Sequence, residues 1–90
     1  MTWKTPKLKN LAKTLLSIKN ESNMLAFLRD LCTLEELEVI SSRWEAARMI
    51  KKGSPYRKIA EKTGISTATV TRIAHWIRHG EGGYKKLLGK

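Results

Sequence analysis

The residues best suited to recognise another molecule lie in one segment, residues 56–75, which reads YRKIAEKTGISTATVTRIAH. Its second half is rich in hydroxyl groups and small side chains, which can approach a nucleic-acid groove closely, bond to base edges and touch thymine methyl groups. Its arginines and lysines can bind phosphate. These residue types predict contacts with double-stranded DNA by Ser54, Tyr56, Arg57, Lys58, Ser66, Thr67, Ala68, Thr69, Thr71 and Arg72.

Catalytic and metal chemistry have little support in the sequence. His75 and His79 are four residues apart and have no third ligand nearby, and Cys32 is the single cysteine. A structural zinc site needs four such ligands. No nucleophile with a base and no paired acid and base is evident. We therefore expect neither an enzyme nor a cofactor.

The segment that carries the candidate contacts has the spacing of a helix-turn-helix, with helices at about residues 55–62 and 66–78. Two helices that cross over a tight turn need a small residue where they touch, and Ala60 supplies it. The turn needs a residue that tolerates a positive φ, and Gly64 supplies that. Four apolar residues are spaced to form the shared face: Ile59, Ile65, Val70 and Ile73. The plainer alternative is a helical hairpin that binds nothing.

Other helices must support this segment, and their ends are marked in the sequence. Apolar residues at spacings of three and four predict helices at about residues 6–18 and 22–32. Thr33 and Glu36 form a capping box that begins a long helix at about residues 34–52, and Gly53 ends it. Ser54 and Pro55 predict an N-cap and first helical residue for the next helix. A last short helix follows a glycine-rich break, at about residues 84–88.

This pattern predicts an all-α fold with five to six helices in a single domain, residues 1–90. The long helix is expected to present Leu37, Ile40, Trp44 and Ala47 along one face. The second helix is apolar around most of its circumference and therefore needs burial on several sides. A chain of 90 residues has little material to bury it. A second copy would, so the sequence predicts a homodimer.

The charge distribution supports a polyanionic partner. The formal net charge is +10, with +5 in residues 1–20, −3 in residues 21–50 and +8 in residues 51–90. Two basic ends around an acidic middle are typical of phosphate-binding surfaces on a central scaffold. A membrane-surface helix is the alternative for the lysine-rich start. No apolar run is long enough to span a membrane. We expect a cytoplasmic, nucleoid-associated protein.

The region from Thr33 to Arg72 resembles the Trp repressor superfamily. The matching features are the Thr-capped helix, Ser42 and Arg43 in the long helix, the Lys-Lys-Gly helix end, and the run ATVTR before Ile73. The trailing GEGGY stretch is similar to the YerC/YecD subgroup. The resemblance implies an intertwined homodimer and a regulator of transcription, most simply a repressor.

The resemblance also implies an effector pocket at Thr33, Arg43, Arg72, Ile73 and Trp76. In the family two arginines sandwich the indole of tryptophan, and they correspond to Arg43 and Arg72. Ile73 and Trp76 stand where the family has a glycine and a serine, so tryptophan is not the expected corepressor. Trp76 lies one turn beyond Arg72 and is expected to stack on it. The simpler roles are an ion pair of Arg43 with Glu36, Glu38 or Glu45, and a phosphate contact by Arg72.

The sequence is also compatible with two other functions. One is the DNA-binding module of a recombinase or transposase, which would normally continue into a catalytic domain. The other is an RNA-associated or ribosome-associated basic protein. That function usually needs aromatic side chains on an exposed platform.

Overall fold

The computed structural model describes residues 2–89, and all regular secondary structure in that range is helical. The helices are α1 (Pro6–Ser17), α2 (Glu21–Leu31), α3 (Leu34–Lys51), α4 (Tyr56–Thr63), α5 (Thr67–His79) and α6 (Gly83–Leu88). The predicted all-α class and helix number are confirmed. No helix in the described range is long and apolar enough to cross a membrane.

The ends of α2 and α3 are fixed by local hydrogen bonds. The Asn20 side chain accepts a hydrogen bond from the Asn23 N–H at 2.8 Å and caps α2. The predicted capping box of α3 is present in both directions. The Thr33 N–H donates to Glu36 Oε1 at 2.8 Å, and the Glu36 N–H donates to Thr33 Oγ1 at 3.1 Å. These bonds satisfy amides that have no partner inside the helix.

The chain leaves α3 through a Schellman turn centred on Gly53. Gly53 has φ +86°, its N–H donates to the Ile50 carbonyl at 2.9 Å, and the Ser54 N–H donates to the Met49 carbonyl at 3.0 Å. The prediction that Ser54 caps α4 is therefore wrong. Pro55 occupies the N-cap position without a side-chain hydrogen bond, and α4 begins at Tyr56. The backbone of Ser54 closes the preceding helix instead.

The chain divides into two compact units, one ending at Leu37 and the other beginning at Glu38, so the division falls within α3. In the first unit, neither α1 nor α2 has a fully buried residue. Leu16 is 84% exposed and Leu25 is 59% exposed. This unit therefore lacks a closed core of its own. Whether residues 1–90 act as a single domain stays a prediction.

The second unit contains the buried core. Ala46 and Ala47 of α3, Ile59 of α4, and Val70 and Ile73 of α5 are each 0% exposed. Helix α4 packs against α5, and α5 packs against α6. Partly buried side chains close the core around them: Ile50, Tyr56, Ala60, Ile65, Ile77, Tyr84 and Leu88. The core holds the two helices of the predicted DNA-binding motif in a fixed relation.

The predicted core face of α3 is only partly correct. Ala47 is buried, but Ile40 is 55% exposed and Trp44 is 38% exposed. The residues that α3 buries are Ser42, Ala46, Ala47 and Met49. Apolar residues occur on more than one face of this helix, so periodicity alone could not show which face meets α4 and α5.

Candidate DNA-binding surface

The turn between α4 and α5 has the geometry that a helix-turn-helix requires. Gly64 adopts a left-handed conformation with φ +80° and ψ 0°, and its N–H donates to the Ala60 carbonyl at 2.9 Å. Residues with a Cβ rarely adopt this conformation. A side chain would meet no atom within 4 Å, so backbone strain alone favours glycine here.

Thr63 stabilises the same turn with its side chain. Its hydroxyl donates to the Ile59 carbonyl at 2.7 Å, and the Ile65 N–H approaches the same oxygen at 3.4 Å. The hydroxyl therefore bonds to a carbonyl one turn earlier in α4 and lies close to the first amide after the turn.

The start of α5 is held by a small network of hydroxyl groups. Ser66 caps the helix, because its Oγ accepts from the Thr69 N–H at 3.1 Å. The Ser66 hydroxyl also donates to Thr69 Oγ1 at 3.1 Å, and Arg72 Nη2 donates to the same oxygen at 3.2 Å. The network orients the Arg72 guanidinium along the exposed side of α5. It also occupies the Thr69 hydroxyl, which therefore serves the helix start as well as the predicted DNA surface.

The hydroxyls of Thr67 and Thr71 in α5 differ in their hydrogen bonding. The Thr71 hydroxyl donates to the Thr67 carbonyl one turn earlier, at 3.0 Å. Within residues 2–89, the Thr67 hydroxyl makes no hydrogen bond and its residue is exposed. Ala68 beside it is also exposed. Thr67 and Ala68 can therefore approach a base edge without breaking an internal bond.

Most of the predicted contact residues lie on the surface of the helix-turn-helix. The exposed ones are Arg57, Lys58, Ser66, Thr67, Ala68, Thr71 and Arg72. The other three are partly buried: Ser54, Tyr56 and Thr69. Tyr56 packs against the core, so its ring also positions the start of α4. The arrangement presents basic side chains at the start of α4 and small polar side chains at the start of α5.

The residues of the predicted effector pocket are not all available to a ligand. Ile73 is 0% exposed and belongs to the core with Ile59 and Val70. Arg43 is exposed and, within the described range, pairs with none of the neighbouring glutamates. Glu45 pairs with Arg48 instead, at 3.2 Å.

The predicted stacking of Arg72 on Trp76 is not formed. Arg72 bonds to Thr69, and Trp76 is 43% exposed. The cation–π contact present in the described residues joins Lys4 to Trp3. The bond to Thr69 draws the guanidinium toward the start of α5, while Trp76 lies toward the end of the helix. Thr33 belongs to the first unit, where its amide and hydroxyl are both engaged with Glu36.

One supporting contact was not evident from the sequence. The rings of Trp44 in α3 and Tyr84 in α6 stack with centroids 6.3 Å apart and planes 4° from parallel. Forty residues separate them, so no local spacing could pair them. Together with the partial burial of Leu88 against the core, the stack holds α6 against α3 and the core of the second unit. Such pairs add modestly to the stability gained from burial.

A tight left-handed turn between two packed helices, with a hydroxyl-rich second helix and basic flanks, defines a helix-turn-helix protein. Comparison with known proteins identifies the family more closely. The model of the Trp repressor protein family matches residues 6–90. The chain belongs to the Trp repressor family, which confirms the resemblance found in the sequence.

Individual relatives agree with this membership. YerC, an uncharacterised protein of Bacillus subtilis (strain 168), is 36% identical over 83 residues, which is 92% of this chain and 80% of YerC. The crystal structure of a TrpR-like protein from Eubacterium eligens ATCC 27750 has a TM-score of 0.88 and 36% identity, covering 96% of this chain and 89% of that one. A Trp repressor candidate from Staphylococcus aureus has a TM-score of 0.87 and 32% identity, covering 96% and 86%. Membership of this family points to a regulatory protein that is not an enzyme.

Proposed function

We propose that this protein is a sequence-specific DNA-binding regulator of transcription, most simply a repressor, that acts as a homodimer in the cytoplasm, associated with the nucleoid. The observation that carries the proposal is the exposed N-terminal part of α5, where Thr67 and Ala68 are free and Arg72 is oriented by Thr69. A helix with small polar residues at its start can enter a major groove, and its N-terminal amides attract phosphate.

The basic flanks supply the part of the affinity that does not depend on sequence. Arg57 and Lys58 are exposed at the start of α4. Positions of this kind neutralise backbone phosphates and fix the orientation of the protein, while the groove contacts distinguish one base pair from another. The proposal therefore assigns different roles to α4 and α5.

Two substitutions separate these roles. Thr67→Ala removes a free hydroxyl from α5. We expect it to weaken binding to preferred sequences by about 30-fold to 10⁴-fold, since the dimer loses two base contacts worth about 1–3 kcal/mol each, and to change binding to other sequences little. Lys58→Ala should weaken binding to every duplex by about the same factor, whatever its sequence. Fluorescence anisotropy with a panel of duplexes measures both. Thr69→Ala makes a less direct test, because it also breaks the bonds with Ser66 and Arg72. Equal losses on all duplexes for Thr67→Ala would contradict direct recognition by α5.

The proposed homodimer rests on the first unit. Helices α1 and α2 have 12 and 11 residues, and none of their residues is buried. Isolated helices of this length are marginal in water, and most helices owe their stability to packing of an apolar face. Leu16, Leu25 and Leu31 are 84%, 59% and 49% exposed. A second copy would supply the missing cover.

We expect a dimer with about twice the chain mass of 10.3 kDa in sedimentation equilibrium at micromolar concentration. Leu25→Glu places a charge on the exposed apolar side of α2 and should shift the equilibrium to monomer. Ser22→Glu, at an exposed polar position in the first turn of α2, is the control that makes the same change in charge without removing apolar surface. A wild-type protein that sediments as a monomer throughout would contradict the proposal.

We also propose that free tryptophan is not the corepressor of this protein, and that any small effector is of a different kind. The support is steric. Ile73 fills core space where the family resemblance places a glycine, and Trp76 adds a bulky indole one turn later. Isothermal titration with L-tryptophan should show no saturable binding at concentrations up to about 1 mM, which corresponds to a binding free energy weaker than about −4 kcal/mol. Micromolar binding that tightens the DNA complex would overturn this part of the proposal.

A further inference from the structure

The exposed side of α5 carries a pair of histidines that are not among the proposed DNA contacts. His75 and His79 are both exposed, and their ring centroids are 4.8 Å apart with planes tilted by 45°. Residues four apart on a helix lie on the same side, one turn above the other. The helical spacing therefore places the two imidazoles side by side, on a helix whose opposite side is buried in the core.

The separation of the rings fits a shared metal ion. A zinc–nitrogen bond is about 2.1 Å, which places the ion about 3.2 Å from each ring centroid. Two imidazoles held at angles of about 90–110° around one ion then have centroids about 4.5–5.3 Å apart. The observed 4.8 Å lies within that interval. Two histidines four residues apart on one side of a helix are also the arrangement by which the HExxH motif binds zinc.

Some charges near His75 and His79 favour the binding of a cation and others oppose it. His79 is the last residue of α5, where unpaired carbonyl groups and the helix dipole favour a cation. Arg78 is adjacent in sequence and Arg72 lies one turn before His75, and their positive charges oppose binding. Both arginines are exposed, so water and salt weaken that repulsion.

We propose that His75 and His79 form a two-histidine site for a divalent transition metal ion such as Zn²⁺, with water completing the coordination. Within residues 2–89, no group of three or more His, Cys, Asp or Glu side chains is placed to hold a metal, so the site is open and exchangeable. Two of the four ligands of a structural zinc site supply about half of its binding free energy, which predicts a dissociation constant of about 1–200 µM. The inference does not depend on the DNA-binding proposal.

Isothermal titration of untagged protein with ZnCl₂ in a non-chelating buffer tests the site. We expect one ion per chain and a dissociation constant in the predicted range. His75→Ala and His79→Ala should each weaken binding at least tenfold, because either change leaves a single imidazole. At a free zinc concentration five times the dissociation constant, the melting temperature should rise by about 4–8 °C. Both histidines are exposed, so circular dichroism should show unchanged helix content in the variants.

Two control variants make the result specific. His79→Gln combined with Glu81→His keeps two histidines but places them six residues apart, and it should bind as weakly as the single variants. Cys32→Ser removes the free thiol, and it should bind zinc like the unchanged protein. The proposal fails if zinc shows no saturable binding up to about 1 mM. It also fails if His79→Ala binds unchanged or if Cys32→Ser abolishes binding.

Discussion

Raising the salt concentration from 50 to 200 mM should lower the affinity of the protein for its preferred DNA by about 10³–10⁵-fold, if the dimer contacts about 6–10 phosphates. The reason is the charge distribution. Residues 51–90 carry a net charge of +8 and residues 1–20 carry +5, and both segments would occur twice in a dimer. Each neutralised phosphate releases condensed counterions, and added salt opposes that release.

The measurement is fluorescence anisotropy of one labelled duplex at several salt concentrations. The logarithm of the association constant should fall linearly against the logarithm of salt concentration, with a slope of about −5 to −9. Lys58→Ala should make the slope less steep by about 2, since a dimer loses two phosphate contacts. Thr67→Ala is the matched control, because it removes no charge and should leave the slope unchanged. A wild-type slope shallower than about −2 would contradict a phosphate-based interface.

Ile73→Ala should cost about 2–5 kcal/mol of unfolding free energy. Ile73 is 0% exposed and lies in the core with Ala46, Ile59 and Val70, so truncation leaves a cavity where α5 meets α4. A small domain has a total stability of only about 5–15 kcal/mol, and this one is near the lower end of the size range. We expect a large decrease in the urea midpoint and partial unfolding near 37 °C.

Urea unfolding followed by circular dichroism at a fixed protein concentration measures this loss. Fixed concentration matters because dimer formation contributes to the apparent stability. Ile73→Val is the graded control and should cost about 0.5–1.5 kcal/mol. If Ile73→Ala were as stable as the unchanged protein, Ile73 would not be a core residue. Tryptophan would then no longer be excluded on steric grounds.

The helix ends could be predicted from the sequence because each depends on residues within one turn. Thr33 with Glu36, Gly53 and Gly64 all act where the sequence placed them. Ser54 is the exception, and the reason is local competition. Its backbone amide completes the Schellman turn of α3, so α4 starts one residue later than predicted, without a side-chain cap.

Contacts between distant residues could not be predicted in the same way. The exposure of Trp44 and the stacking of its ring on Tyr84 depend on which side of α3 meets α6. Arg72 was expected to contact Trp76 because both lie on one side of α5. A hydrogen bond to Thr69, three residues earlier, holds its guanidinium instead. Spacing on a helix limits which pairs can meet, but hydrogen bonding and packing decide which pairs do.

In the structure, the predicted contact residues fall into two groups, one exposed and one that also supports the fold. Arg57, Lys58 and Thr67 are exposed, as a contact role requires. Tyr56 and Thr69 also support the fold, through the core and the start of α5. Residue type alone could not separate these groups, because a hydroxyl near a helix start can cap the helix or face a partner equally well.

Selection of bound fragments from genomic DNA by the purified protein measures whether it recognises particular sequences. We expect enrichment of a small set of sequences with a pseudo-palindrome whose half-sites lie about 34–36 Å apart, or about 10 base pairs. Two α5 helices related by a two-fold axis would read successive turns of the major groove. Thr67→Ala should select a set with an altered base preference at one position in each half-site. Recovery of random fragments, with no shared sequence at low or physiological salt, would contradict the claim that this protein is a sequence-specific regulator.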